Sequence, residues 1–468
     1  MIGTTWCRRI AHLAKAVLMI ALVSPAVVNA LPAFMRQTGQ NCAACHAGGQ
    51  FPELTAYGRL FKLTGYTLGE RSAVPFAVMG VLSDSKVRNT SKSPDPSQDF
   101  QKDGDPIFAT GSVFAAGKIT DNIGAFLQVT YDNYASQSDD GSFHGHSSAD
   151  NMDIRFADRL IDEHRDLIYG VSFNNNPSVQ DVWNSAAAWM QYVPVPSPTS
   201  SRFIDGSAPY PGFAAGGNIA GITAYAFWNQ TLYAEFGGYR SAEGIASFMS
   251  AGVADGDKTK LEGNNPYWRV ALSHQWGPHN LMIGTSGMVA HVYDDPLDTS
   301  DPLSVHRYRD IGVDAQYQLL SDPHVVTLQA AYSRDTHRYP AFLANQPVTD
   351  ADGAPLPNTN ARDRTSVFRS KASYVYDAHV GGSLSWFNQT GTTDSALYDP
   401  TPVGGNIRGN PAIRGWTAEA FWLPVQNVRV GVQYTGYSKY NGARDNYDGT
   451  GRNAADNNSL FVYLWAAY

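Results

Sequence analysis

Over most of the chain, apolar and polar residues alternate one by one. Ile311, Val313, Ala315, Tyr317 and Leu319 are separated by Gly312, Asp314, Gln316 and Gln318, and Val326, Leu328, Ala330 and Tyr332 by Thr327, Gln329 and Ala331. Trp416, Ala418, Ala420 and Trp422 interleave with Thr417, Glu419 and Phe421, and Val428, Val430, Val432 and Tyr434 with Arg429, Gly431 and Gln433. A period of two puts one set of side chains on each face of a β-strand. Sixteen such segments begin near Val74, Ile107, Ile123, Met152, Arg165, Gly221, Thr231, Tyr267, Leu281, Arg307, Val325, Thr365, Val380, Ile413, Val428 and Leu460. The pattern predicts an all-β chain with an even strand count. Alternation alone also fits a large water-soluble sandwich.

The connections separate these two readings. Short ones fall near Thr120, Ile161 to His164, Gln230, Gly277, Ser321 to Pro323, Asp377 and Pro424 to Gln426. Long ones alternate with them: Ser83 to Asp105, Asn133 to Asp150, Asn174 to Ala220, Ser241 to Asn265, Asp294 to Val305, Tyr339 to Arg364, Gly391 to Asn410 and Asn441 to Asn458. Short periplasmic turns and long outer loops are the asymmetry of outer-membrane barrels, and a sandwich has no reason to copy it. Residues 74–468 are therefore expected to form a sixteen-stranded outer-membrane β-barrel with both termini periplasmic. The last segment, Leu460 to Tyr468, resembles the aromatic-ended signal by which such barrels are inserted. Trp228, Tyr233, Trp268, Trp276, Trp386, Trp416 and Trp422 fit interfacial girdles, although each is also accounted for by packing.

The first seventy or so residues follow different rules. Arg8, Arg9 and Lys15 precede an apolar run from Ala16 to Val28, and small residues close it at Ala30, which predicts an export signal over residues 1–30; a membrane anchor is the alternative. Cleavage would remove Cys7 and three cations, taking the formal charge from -8 to -11. The other two cysteines lie in Cys42-Ala43-Ala44-Cys45-His46. In C-x-x-C-H, two thiols on one turn reach the two vinyl groups of a porphyrin edge, and the following imidazole is the proximal iron ligand. One covalent haem c is expected; a redox dithiol or a disulfide needs no histidine at that place. Pro52 to Gly65 reads as a short helix with Leu54, Tyr57 and Phe61 on one face and Gly65 as its stop. Gly58 inside it suggests that something flat or bulky, a porphyrin first, comes close to the backbone. Arg36, Arg59 and Lys62 are candidate propionate partners, and an exposed cationic face explains them as well. The segment, residues 31–73, is too small to fold securely without a staple or a partner surface.

Composition narrows the function classes. Only 16% of residues are charged and 12% are aromatic, which excludes a disordered chain, and 34 Lys+Arg against 42 Asp+Glu excludes a typical nucleic-acid binder. Three cysteines cannot make a four-thiolate zinc site. No catalytic constellation accompanies the haem motif. Acid-rich stretches at Ser93 to Asp105, Asp139 to Asp150 with His144 and His146, and Asp294 to Asp301 would draw cations such as Fe(II) to an outer mouth; a solvated repulsive surface is the plainer reading.

Pro32-Ala33-Phe34, Arg36-Gln37-Thr38-Gly39, Cys42, Cys45-His46, Pro52, Leu54-Thr55, Gly58-Arg59, Phe61-Lys62 and Gly65-Tyr66 resemble the fused monohaem cytochrome-porins of iron-oxidising bacteria. The resemblance implies a helical haem domain held in or at the lumen of a sixteen-stranded porin. It implies an electron conduit that takes electrons from an extracellular donor, Fe(II) first, and passes them to a periplasmic c-type cytochrome or other acceptor, so that any Fe(II) oxidation is electron transfer. A diffusion porin with a haem-bearing plug and a soluble periplasmic haem enzyme are the alternatives. For the sixth ligand, Met79 at the start of the first strand is the first choice and Met35 the close alternative, with an open or histidine-ligated site as the other reading.

Overall fold

The computed structural model describes residues 32–49, 53–93, 100, 102–138, 142–177, 181–184, 218–252, 258–301, 304–339, 360–395, 398 and 406–468. The predicted export signal lies outside them. Each alternating segment is a strand: β1 (Phe76–Val87), β2 (Ile107–Lys118), β3 (Ile123–Gln137), β4 (Phe143–Asp162), β5 (Arg165–Asn174), β6 (Ile219–Trp228), β7 (Leu232–Ser241) and β8 (Asn265–Trp276). They continue as β9 (His279–Tyr293), β10 (Val305–Leu320), β11 (His324–Arg338), β12 (Arg362–Tyr376), β13 (Val380–Gly391), β14 (Ile413–Val425), β15 (Val428–Lys439) and β16 (Ser459–Ala467). Every strand pairs antiparallel with its neighbours in sequence, and β1 closes on β16 from Met79↔Ala467 to Val87↔Ser459.

Fifteen of the sixteen starts lie within three residues of the sequence reading; β4 begins at Phe143, nine residues before Met152. Most of the stretch from Asn133 to Asp150 is therefore strand and not loop. His144 and His146 stand on β4, where His144 Nε2 meets Ser138 Oγ at 2.6 Å and His146 Nε2 meets the Ala251 carbonyl at 2.8 Å.

The alternation is turned inside out relative to a soluble protein. Ile311, Val313, Leu328, Trp416 and Trp422 are 42–52% exposed on the outside. Their polar neighbours Gln316, Gln318 and Thr327 are buried toward the lumen. An exposed apolar belt with a polar interior is stable only where the outer solvent is lipid, and a closed sheet leaves no unpaired edge there. That overturns the sandwich and the soluble haem enzyme. Among the described residues no helix is long and apolar enough to cross a membrane, so strands do the crossing. The chain has an outer-membrane type of barrel.

Trp228, Trp276 and Trp422 are exposed near the short-turn ends of their strands, as an interfacial girdle requires. Tyr233 is a correction. It is fully buried on the lumenal face, because it shares the parity of Glu235 and not of the exposed Phe236.

The N-terminal segment forms three short helices: α1 (Ala33–Thr38), α2 (Cys42–Cys45) and α3 (Ala56–Leu63). α3 starts later than the sequence suggested, because the Thr55 side chain accepts from the Gly58 amide and caps it there; Gly65, with φ +70, ends it as expected. A helix of this length is marginal alone. It persists because Leu63 packs with Ile168, Val182, Trp183, Tyr225 and Tyr233 of the barrel interior.

Candidate functional site

The helical segment lies inside the barrel, fastened to inward-facing residues around its circumference. Tyr66 donates to Asp153 Oδ2 of β4 at 2.6 Å, and the carboxylate is also held by Arg155 at 2.7 Å. Tyr225 of β6 donates to the Leu63 carbonyl at 2.7 Å, and Lys371 of β12 pairs with Glu53 at 2.7 Å. Gln37 bridges both parts: its amide group donates to the Tyr66 and Leu68 carbonyls, and its Oε1 accepts from the Lys118 amide at the end of β2. Gln426, in the short turn after β14, accepts from the Cys42 amide at 3.0 Å. Short-turn residues thus surround the motif, which places it toward that end of the lumen.

Asn41 caps α2 by accepting from the Ala44 amide, so that Cys42, Cys45 and His46 occupy one turn and its exit. The two cysteines are not bonded to each other. Burial pushes both thiols up, Cys45 to about 11 with Cys42 adding to the shift. A redox dithiol works through a lowered thiol pKa, so these surroundings disfavour that reading. Two free thiols one turn apart, followed by an imidazole, are the donor set that covalent haem c requires. Cys42, Cys45 and His46 would hold it.

Gly58 corrects an expectation. What approaches its backbone is the carbonyl of Cys45: a Cβ at position 58 would stand 2.2 Å from that oxygen. The glycine lets α3 cross directly over the motif. Leu54 forms an isolated antiparallel bridge with His46.

The three cations have definite places. Arg36 donates to the carbonyls of Val74 and Phe76, where β1 begins. Arg59 is buried, with NH1 on the Leu54 carbonyl (2.8 Å) and Gln318 Oε1 (2.9 Å) and NH2 on Asn280 Oδ1 (2.8 Å). Lys62 Nζ donates to the Asp181 carbonyl at 2.7 Å and to Asn184 Oδ1 at 2.8 Å. Burial lowers Arg59 to about 10; burial first, then repulsion from Arg155, lowers Lys62 to about 8. These bonds seat the segment in the barrel and account for all three cations by themselves. Met79 packs beside Val81 and Trp465 near the β1/β16 seam. Met35 is the methionine beside the motif, its Sδ 3.4 Å from Cys42 Sγ.

Of the acid-rich stretches, the first is partly neutralised by a neighbouring cation, Lys86 on Asp103. Among the described residues no group of three or more His, Cys, Asp or Glu is arranged to hold a metal ion. The wall partners Asp153, Tyr225, Asn280, Gln318, Lys371 and Gln426 escaped the sequence reading. A polar residue near a short turn gives the same signal whether it meets water or a helix.

These features define a class: a membrane-spanning sixteen-stranded barrel with a helical C-x-x-C-H segment in its lumen. No protein-family model matches the chain, and no curated protein does. Among solved structures it is similar to Salmonella typhi OmpF in complex with daunomycin, with 11% identity over 84% of this chain and 97% of that one and a TM-score of 0.44. It is also similar to the outer membrane channel DcaP of Acinetobacter baumannii (12%, 84% and 96%, TM-score 0.42) and to an anion-selective porin from Comamonas acidovorans (10%, 85% and 100%, TM-score 0.41). The strand pairing, not these likenesses, defines the architecture.

Proposed function

We propose that the protein is an outer-membrane electron conduit of the cytochrome-porin kind. One haem c, attached at Cys42 and Cys45 with His46 as proximal ligand, supplies a one-electron carrier. The donor outside, Fe(II) by preference, gives up one electron and leaves as Fe(III); a periplasmic c-type cytochrome or comparable acceptor gains that electron. The chain's own residues do the positioning. Arg59, Lys62, Tyr66 and Glu53 hold the motif within the lumen. The observation that carries this reading is the seating of the C-x-x-C-H segment inside a barrel, where a carrier shortens the path across the membrane. The outer acids add a field that concentrates cations and weakens over about 8–10 Å at physiological salt. Met79 and Met35 are the two thioethers proposed for the sixth position.

The polar lumen wall also favours a second reading, a diffusion porin with a haem-bearing plug. Vesicles holding the protein with its long loops outward separate the two. The conduit reduces a trapped acceptor when Fe(II) is added outside, and loses this when His46 is replaced. A trapped acceptor that stays oxidised while small sugars cross would establish the porin instead.

A further inference from the structure

At their long-loop ends the strands β10, β11 and β12 sort their charges by face. Arg-Asp pairs recur at Arg309-Asp310, Arg334-Asp335 and Arg362-Asp363. The three aspartates are buried on the lumenal face, and Asp314, the only other acid of these strands, is bonded to buried Arg269 on that face too. The arginines point the other way. Arg307, Arg309, Arg334, Arg338, Arg362 and Arg364 are exposed on the outer surface, on the parity of the exposed Ile311, Val313 and Leu328.

Strand register brings the arginines together. Arg307 stands opposite Arg338, which stands opposite Arg362; in the next row Arg309 and Arg364 flank Thr336. Like charges directly opposite in a sheet repel. Among the described residues none of the six is ion-paired with a carboxylate, and Arg334 bonds to the Tyr332 hydroxyl at 3.2 Å. An unneutralised row of this kind calls for an anion from outside the chain. Its height identifies the source: it lies at the long-loop ends of the strands, directly above the apolar belt, where lipid headgroups begin. Neighbouring strands are about 4.8 Å apart, so the row of three spans about 10 Å, the width of a headgroup with more than one phosphate. Guanidinium forks match phosphate oxygens two at a time.

We propose that this patch binds a phosphate-bearing lipid headgroup of the outer leaflet. The inference rests on the outward placement of the long loops and is independent of the haem.

The test uses the full-length protein in mild detergent with a bisphosphorylated disaccharide lipid and its dephosphorylated form, with retained lipid counted by native mass spectrometry. The wild type should prefer the phosphorylated lipid by at least about tenfold. The R307Q/R338Q/R362Q variant should lose that preference. Its lipid-free melting temperature should stay equal or rise, since repulsion is removed. If this variant fails to fold, R309Q/R364Q should show a partial loss. Equal retention of both lipids, an unchanged preference in the variants, or full displacement by excess inorganic phosphate would overturn the proposal. So would a change in the oligomeric state of the lipid-free protein on substitution, which would make a second copy the partner. Labelling of loop tags only from the periplasmic side would move the patch to the inner leaflet while the lipid preference persisted, so the two failures are distinguishable.

Discussion

The lower and upper halves of the same lumen wall follow one alternation rule but satisfy their inward polar groups differently. Asn280, Gln318 and Lys371 toward the short turns, and Asp153 midway along β4, are answered by the helical segment. Higher up, wall residues face one another: His306 Nδ1 meets His337 Nε2 at 2.8 Å, and buried Asp310 stands opposite buried Asp335. The lower half is a socket filled by one occupant, whereas in the upper half the wall residues His337, Asp310 and Asp335 are buried among their own neighbours. Buried polar groups cost about 1–3 kcal/mol each when left without a partner, so the lower half is the part that depends on its occupant.

The sharpest way to break that comparison is to remove the occupant's chemistry and ask whether the barrel notices. The double variant Cys42→Ala/Cys45→Ala should lose covalent haem completely, as read by haem stain on a denaturing gel, and still show the heat-dependent mobility of a folded barrel. A stain that survived would refute the motif. Next in size is Gly58→Ala. Alanine gains about 1 kcal/mol in helix propensity, but its Cβ meets the Cys45 carbonyl at 2.2 Å. The clash should win, displacing α3 from the motif and cutting haem incorporation several-fold in pyridine haemochrome assays.

Smaller changes test the socket. Arg59→Met orphans Gln318 and Asn280, at about 1–3 kcal/mol for each group. Protease protection of residues 32–73 should fall, with barrel melting little changed. Met35→Leu and Met79→Leu compare the two proposed thioethers: the one that abolishes a sulfur-to-iron band in the oxidised absorption spectrum is the ligand, and two unchanged spectra would dismiss both. The smallest effect is a pH slope. Lys62 titrates near 8 when docked and near 10.5 when exposed. Between those values the undocked state binds more protons, so docking strengthens as pH rises, by about 1.4 kcal/mol per unit at most. Protection of the segment should therefore increase from pH 8 to 10, and the slope should vanish in Lys62→Met.

The sequence revealed the strands wherever one face meets lipid, since there the period of two is enforced. It lost β4 above the membrane, where His144, Gly145, His146 and Ser147 sit in strand and water can wet both faces. Tyr233 was misplaced because it was read as an aromatic near a strand end; its parity with Glu235 held the answer. Cys42, Cys45 and His46 were legible as neighbours because their spacing puts them on one capped turn and its exit; the haem they would hold belongs to the proposal. Arg59 and Lys62 were not, because a cation reads the same in sequence whether it faces water, a propionate or a buried amide.

The Arg36 bonds have a mechanical side. By gripping the carbonyls of Val74 and Phe76, this side chain ties α1 to the first residues of β1, the strand that closes the barrel on β16. A pull on the helical segment is thus carried past the slack of the intervening chain straight to the closing seam. Extraction of the segment and unzipping of the wall would share one load path, and a single-molecule trace should show them yielding as one event.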